Sequence, residues 1–265
     1  MFDLGTGLRF WGQTLRPDGS FRGTALVTHL HWDHVQGLPF FVPINCPGAS
    51  LDIYAPRPSA ETSVAGAFGD FMRPPYFPVR ADDLFGDIRF HDVGACDMEI
   101  GPAVVKVRDV PHVGSTNGYR VESGGVVVAY ISDHQQPTDG TDTVAESVLE
   151  LCDGADLVIH DAQFTPDDLA VKSDWGHCTV EYAVHVAATA GARRLALFHH
   201  DPARSDDKID ALLASARRLG AQRGLHEVIA ASEGLTVSLT GLASSNGAAP
   251  TPAAAAAAER AASTA

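Results

Sequence analysis

Basic residues are scarce in this chain. Lys and Arg number 19 against 33 Asp and Glu, for a net charge of −14. A protein that tracks a long polyanion concentrates cations to meet its phosphates. The only adjacent basic pairs here are Arg193-Arg194 and Arg217-Arg218, so an extended nucleic-acid surface is not expected. A small anion held by bound metal stays open, because a cation reverses the local field. Cysteine is sparse too. Cys46, Cys96, Cys152 and Cys178 form no CxxC pair, which excludes a Cys-rich zinc ribbon and offers no disulfide framework. Plain thiols are expected, with Cys178 of interest because it follows His177. No apolar run nears the roughly 18 residues that span a bilayer, so no membrane partner is expected. Met1-Phe2-Asp3-Leu4-Gly5 holds no basic segment leading into an apolar one; no signal peptide is read and a cytoplasmic protein is expected.

Histidine, by contrast, is concentrated. Residues 29–34 read His-Leu-His-Trp-Asp-His, placing three imidazoles and one carboxylate within six positions. The turn follows an apolar run, Thr24 to Thr28, that reads as a buried strand. Imidazole nitrogen and carboxylate oxygen are the donors that Zn²⁺ takes, and two ions close together need about seven or eight of them. The turn supplies up to four.

With 45% hydrophobic residues over 265 positions, the chain can bury a large core. Strand-like runs are Leu51 to Ala55, Ala103 to Val110, Gly118 to Glu122, Val126 to Ser132, Leu157 to His160, Leu195 to His199, Val228 to Ala231 and Thr236 to Leu239. Ser123-Gly124-Gly125 predicts a hairpin pairing Tyr119-Val121 with Val126-Tyr130. Helix-like runs are Thr143 to Leu151, Thr179 to Ala190, and one from Ser205, which is placed to cap it. The mixture predicts an α/β fold, sheets covered by helices on their outer faces. From Ala243 onward the composition collapses to Ala, Ser, Pro, Thr and Gly. The domain is therefore expected over 1–242, and 243–265 is expected to be a disordered tail. The segment Met72-Arg73-Pro74-Pro75-Tyr76-Phe77-Pro78 reads either as a lid or pocket wall or as a loop packed on the core.

Further donors stand at the ends of strand-like runs, where they are held rigidly. They are His112, Asp133, Asp161 and His199; His200 competes with His199, which the strand register favours. His134 is expected to be solvated, and His91, His185 and His226 to be ordinary residues. Four strand-end donors added to an HxHxDH turn point to one shared centre.

These motifs resemble the metallo-β-lactamase superfamily, in its ribonuclease Z-like and small-phosphodiesterase-like branch, over about Asp3 to Thr240. The turn His29-Leu30-His31-Trp32-Asp33-His34 resembles the family signature. Asp3-Leu4-Gly5 resembles its opening Asp-x-Gly segment, whose Asp supports the turn. Ser132-Asp133 stands where the family carries a bridging Asp, and Leu197-Phe198-His199 where it carries the last ligand. His160-Asp161-Ala162 and Gly176-His177-Cys178-Thr179 resemble the His-Glu-Ala and His-Ser-Thr segments of ribonuclease Z. The resemblance implies a four-layer αββα sandwich. Related chains place strands ahead of the Asp-x-Gly segment, whereas Met1-Phe2 leads straight into it here, so the expectation is either a truncated start or a fold that lacks its first N-terminal strands.

The resemblance further implies two divalent metal ions, Zn²⁺ before Mn²⁺ or Fe²⁺. His29, His31 and His112 would bind one; Asp33, His34 and His199 the other; Asp133 would bridge. The candidate catalytic residues are Asp33 and the pair His177 and Asp161, in which the carboxylate fixes the imidazole as a general acid. Hydrolysis of a small cyclic or linear phosphodiester is the expected activity, since no RNA-gripping arm is evident. The alternatives are a tRNA 3′-end processing ribonuclease, a thioester or lactam hydrolase on the same scaffold, and a non-catalytic metal-binding remnant. The family also makes a homodimer an expectation.

Overall fold

A computed structural model describes residues 1–239. The proposed tail and the last residues of the proposed domain lie outside the described residues. Among these, two β-sheets are packed face to face and covered by helices.

The first sheet is parallel and holds β1 (Arg22–Leu26), β2 (Ser50–Ala55) and β3 (Asp87–Asp92) in that order. Its strands alternate, so each face has its own job. Ala25, Leu51 and Ile53 face outward under Leu4, Leu8, Val64, Phe68 and Met72. These come from the N-terminal segment, α1 (Gly7–Gly12), α3 (Val64–Phe71) and its end; α2 (Trp32–Val35) lies in the histidine turn. Leu26 and Tyr54 face the other way, against Val105, Val107, Tyr119 and Tyr130 of the second sheet. The free edge of β1 carries the N-terminal segment: Leu26 N–H donates to Met1 O and Asp3 N–H to Leu26 O. That pairing sets Asp3 beside the histidine turn.

The second sheet has the order β10-β9-β8-β7-β6-β5-β4. Its strands are β4 (Cys96–Ile100), β5 (Ala103–Asp109), β6 (Asn117–Ser123), β7 (Val126–Ile131), β8 (Leu157–Asp161), β9 (Arg194–Phe198) and β10 (Glu227–Ala230). β4 to β7 form an antiparallel meander; β7 to β10 run parallel. The predicted hairpin forms, Tyr119 opposite Tyr130 and Val121 opposite Val128. Gly124 and Gly125 both take positive φ, 59° and 77°, as a tight turn of this hand requires. The parallel crossovers bring α4 (Glu146–Cys152), α5 (Pro166–Val171), α6 (Val180–Thr189) and α7 (Asp206–Gln222) into the chain. Val148, Leu151, Ala183, Val184, Ala187 and Ala216 of these helices bury the sheet's outer face at Ile131, Val158 and Leu195. Thr179 caps α6, its hydroxyl accepting the Tyr182 N–H at 3.1 Å. The result is helices, sheet, sheet, helices: the αββα sandwich.

Several expectations need correction. Thr236 to Leu239 is not a strand. Its alternation is met by half-burying Val237 and Leu239 without ladder pairing, and Arg194 donates to the Ser238 carbonyl. The helix expected from Thr143 begins at Glu146. Ser205 occupies the cap position of α7, yet its hydroxyl makes no capping bond. The sequence does not announce the strands β3 and β4, because their exposed faces carry charge at every second position and their other faces are only half-buried.

Candidate metal centre

The loops that leave β1, β5, β7, β8 and β9 converge at one edge of the sandwich, so donors far apart in sequence meet. His29, His31, His112 and Asp133 offer ligand atoms that all lie within 4.8 Å of one another. Asp33, His34 and His199 form a second such group. Asp133 joins them: Oδ2 lies 3.7 Å from Nε2 of both His29 and His112, and Oδ1 lies 3.2 Å from His34 Nε2 and 3.6 Å from His199 Nε2. His199, not His200, reaches the cluster, with Nε2 3.0 Å from Asp33 Oδ2.

Most of these imidazoles are aimed by a partner on Nδ1. The Thr28 hydroxyl donates its only proton to Asp3, so the His29 Nδ1–H, 3.1 Å away, donates to the Thr28 oxygen. His34 Nδ1–H donates to Asp3 at 2.9 Å. His112 Nδ1–H donates to the Gly176 carbonyl at 2.7 Å. The Gln163 amide lies 2.9 Å from His199 Nδ1. Each arrangement leaves Nε2 facing the cluster, and in His29, His34 and His112 the Nδ1–H is the donor, as ligand histidines are held elsewhere. Gly176 permits this approach: its φ is +95°, and a Cβ there would stand 2.3 Å from His112 Nδ1. Asp3 collects three further bonds, from the Thr28 N–H and hydroxyl and from the Tyr130 hydroxyl at 2.8 Å. Among the described residues, Asp3 and His199 are the two non-glycines with positive φ, 51° and 54°. Such strain persists where surrounding contacts over-determine it, and it clusters at functional sites.

The electrostatics match a cation site. Burial, reinforced by neighbouring imidazoles, pushes His29 down to about 2. Burial also lowers His112. His34 is opposite: burial opposes its charge, but Asp3, Asp133 and Asp33 together lift it to about 12. Burial raises the carboxyls of Asp33 and Asp133, yet bonds from the histidines outweigh it and hold both well below the usual range. His34 Nε2, His112 Nε2 and Asp133 Oδ1 are buried without a hydrogen-bond partner. Buried polar atoms are rarely left so; a metal ion would satisfy all three.

Beside this cluster, His177 Nδ1–H donates to Asp161 Oδ2 at 2.9 Å. Asp161 is fully buried and also accepts the N–H groups of His134 and Gln163. The His177 ring stacks on His199 at 5.0 Å, and its side chain is 12% exposed. His177, Asp133 and His199 also fall within 4.8 Å of one another, but His177 Nδ1 is already engaged by Asp161. That leaves Nε2 as the ring nitrogen that Asp161 does not hold.

His134 corrects an expectation: it is buried, with Nδ1 3.0 Å from His160 Nε2. His160 Nδ1–H in turn donates to the Asp161 carbonyl, so this pair braces the loop carrying Asp133 and the end of β8. Cys178 is a buried thiol whose Sγ donates to the same carbonyl at 3.2 Å; burial raises its pKa. Sequence reading missed Thr28, Tyr130, Gln163, Gln135 and Gly176. Gln135 fastens the loop ahead of His177, accepting the Gly176 N–H and donating to Ser173 O.

With this geometry in place, comparison with known proteins is direct. A model described as "Beta-lactamase superfamily domain" matches residues 11–200. Ribonuclease Z of Natronomonas pharaonis is 30% identical over 248 residues, covering 75% of this chain and 76% of that protein. The chain belongs to the metallo-β-lactamase superfamily. Within it, this is a ribonuclease Z-like, metal-dependent hydrolase. The fold is shared with the metallo-β-lactamase fold protein YhfI of Bacillus subtilis, at TM-score 0.64 and 19% identity over 88% of this chain and 84% of that one. It is shared equally with human tRNase Z, short form, at TM-score 0.63 and 20% identity over 90% and 87% of the two chains. No helix among the described residues is long and apolar enough to cross a membrane.

Proposed function

We propose that this superfamily member is a binuclear phosphodiesterase acting on small cyclic or linear phosphodiesters. The observation that carries it is the His177–Asp161 pair, 2.9 Å apart, set beside two donor groups that share Asp133. One metal would be held by His29, His31 and His112, the other by Asp33, His34 and His199, with Asp133 between them. Bound there, two divalent cations, Zn²⁺ first by donor type, would polarise phosphoryl oxygens and make water acidic enough to attack at neutral pH.

The chain's own residues do the rest. As the P–O bond to the leaving group breaks, His177 Nε2 delivers a proton to the departing oxygen. Asp161 keeps Nδ1 protonated and the ring oriented, and stabilises the charged imidazolium before that transfer. A thiolate leaving group on a thioester gives this acid little to do; an alkoxide needs it. Asp133 and His34 hold the two donor groups in register, and Asp3 with Tyr130 holds His34.

The small-substrate choice rests on the net charge of −14, which disfavours a long polyanion. Ribonuclease Z as a relative favours a second reading, cleavage of a tRNA precursor. One screen separates them. Purified protein with its metals counted is assayed on bis-p-nitrophenyl phosphate, cyclic nucleotides, linear dinucleotides and a tRNA precursor. About two metals per chain and turnover of small esters, both lost in Asp133→Ala, support the proposal. Turnover of the tRNA precursor alone supports the ribonuclease. Metal without turnover of any ester overturns both.

A further inference from the structure

The three residues that follow Asp133 all reach towards His177 or its partner. The His134 N–H donates to Asp161 Oδ2, the oxygen that also receives His177. Gln135 crosses to the loop ahead of His177. Its Oε1 accepts the Gly176 N–H at 2.8 Å, and its Nε2 donates to the Ser173 carbonyl at 2.8 Å. Gln136 takes the other side. Its N–H donates to the His177 carbonyl at 3.2 Å, and its Oε1 accepts both the N–H and the hydroxyl of Thr179 at 3.1 Å. His177 therefore hangs between two glutamines, gripped one residue before it and two residues after. Gln135 ties in a further loop, because its own N–H donates to the Pro111 carbonyl, next to His112.

This loop needs the grip. Ser173, Asp174 and Trp175 are exposed, and Gly176, at φ +95°, occupies a region that glycine enters without strain. Asp161 orients the His177 ring, but the loop decides where the ring sits. A general acid acts only when its nitrogen lies within hydrogen-bond reach of the departing oxygen. A misplacement of about 1 Å costs about 10²-fold. The residue type suits the task, since a primary amide carries a donor and an acceptor at once. Gln135 uses both ends, on a carbonyl and an N–H of the same loop; Gln136 works through its oxygen. The stretch 133–136 thus begins at the carboxylate that joins the two donor groups and ends at the loop that carries the acid. We propose that Gln135 and Gln136 are positioning residues for His177, holding its backbone in register with Asp133. This rests on the phosphodiesterase reading above, but holding the loop does not require turnover.

The test has two arms. Gln135→Leu and Gln136→Leu keep the bulk of the side chain and remove its hydrogen bonds. Gln136→Glu keeps the accepting oxygen that Thr179 uses. Metal-loaded proteins of equal metal content are assayed on the methyl and p-nitrophenyl esters of one phosphodiester. Each Leu variant should lower kcat on the methyl ester about 10²-fold and leave KM and the p-nitrophenyl rate largely unchanged. Gln136→Glu should restore most of the methyl-ester rate. Equal losses on both esters, or an unchanged methyl-ester rate in both Leu variants, overturn the positioning role. In the second arm, amide hydrogen exchange over residues 173–179 and the Nδ1 proton resonance of His177 are recorded on the same proteins. The Leu variants should exchange faster there and lose the resonance, with the amides of β8 and β9 unaffected. If the parent protein turns over no phosphodiester, the phosphodiesterase reading fails. That exchange pattern would still support the positioning role, and unchanged exchange with a retained resonance would end it.

Discussion

Replacing Asp161 with asparagine changes one atom in a buried network, and the structure says what that atom costs. Oδ2 of Asp161 accepts two N–H groups, from the His134 backbone and from His177 Nδ1; Oδ1 accepts a third, from Gln163. Asparagine has only one carbonyl oxygen. If that oxygen faces His134 and His177, the new NH2 confronts the Gln163 N–H. If it faces Gln163, the NH2 confronts the His134 N–H and forces His177 into the other tautomer. Either way one buried donor is left unpaired, at a cost of about 1–3 kcal/mol. For a domain of this size that lowers Tm by roughly 2–12 °C. The catalytic effect is separable. Losing an oriented general acid costs about 10²- to 10⁴-fold on an alkoxide leaving group, and little on p-nitrophenolate, which leaves without a proton. The assay is kcat/KM on methyl and p-nitrophenyl esters of one phosphodiester, with metal content and thermal unfolding measured on the same preparation. Equal losses on both leaving groups at full metal content would refute the acid role, as would an unchanged methyl-ester rate.

Other consequences follow from the same geometry. Gly176→Ala should displace His112, since the added methyl would overlap its ring; the expected readout is loss of one metal per chain, and two retained metals would contradict it. Gln163→Ala frees the His199 ring and should weaken metal retention about 10- to 100-fold, the usual effect of removing a ligand's orienting partner; chelator competition measures it. Asp52 is held down to about 2, first by Arg89, whose guanidinium meets both carboxylate oxygens, and then by His91. A depressed carboxylate stabilises above its ordinary value near 4 and loses that contribution as pH falls towards 2. The acid unfolding limb should therefore shift to lower sensitivity in Asp52→Asn, with little change at pH 7 beyond the lost pairing; identical acid limbs would contradict the assignment.

What could be read from sequence alone follows a physical division. The cluster His29 to His34 is legible because its donors are adjacent, and the strand that delivers them is an uninterrupted apolar run. Asp133 and His199 are legible because each ends another such run. The two inner strands of the hairpin announce themselves through Gly124-Gly125. The strands β3 and β4 do not, since Asp87, Arg89, Asp97 and Glu99 break their apolar character on the solvent side. Tertiary burial of one face, not local composition, makes them strands.

The orienting partners were illegible for a stronger reason. Gln163 serves His199 across 36 positions, and Tyr130 reaches Asp3 across 127. Gly176 serves His112 through a main-chain carbonyl that any residue would possess. No residue type marks such a role. Yet these partners decide which imidazole nitrogen points inward, and so whether seven donors form one centre or a set of surface histidines. Donor identity is written in the local sequence, whereas donor aim is a property of the folded chain. The N-terminal segment shows the dependence plainly: Asp3 becomes a clamp on His34 only because Met1 and Asp3 hydrogen-bond along the edge of β1. Disturbing that edge should misalign His34 without substituting any candidate donor.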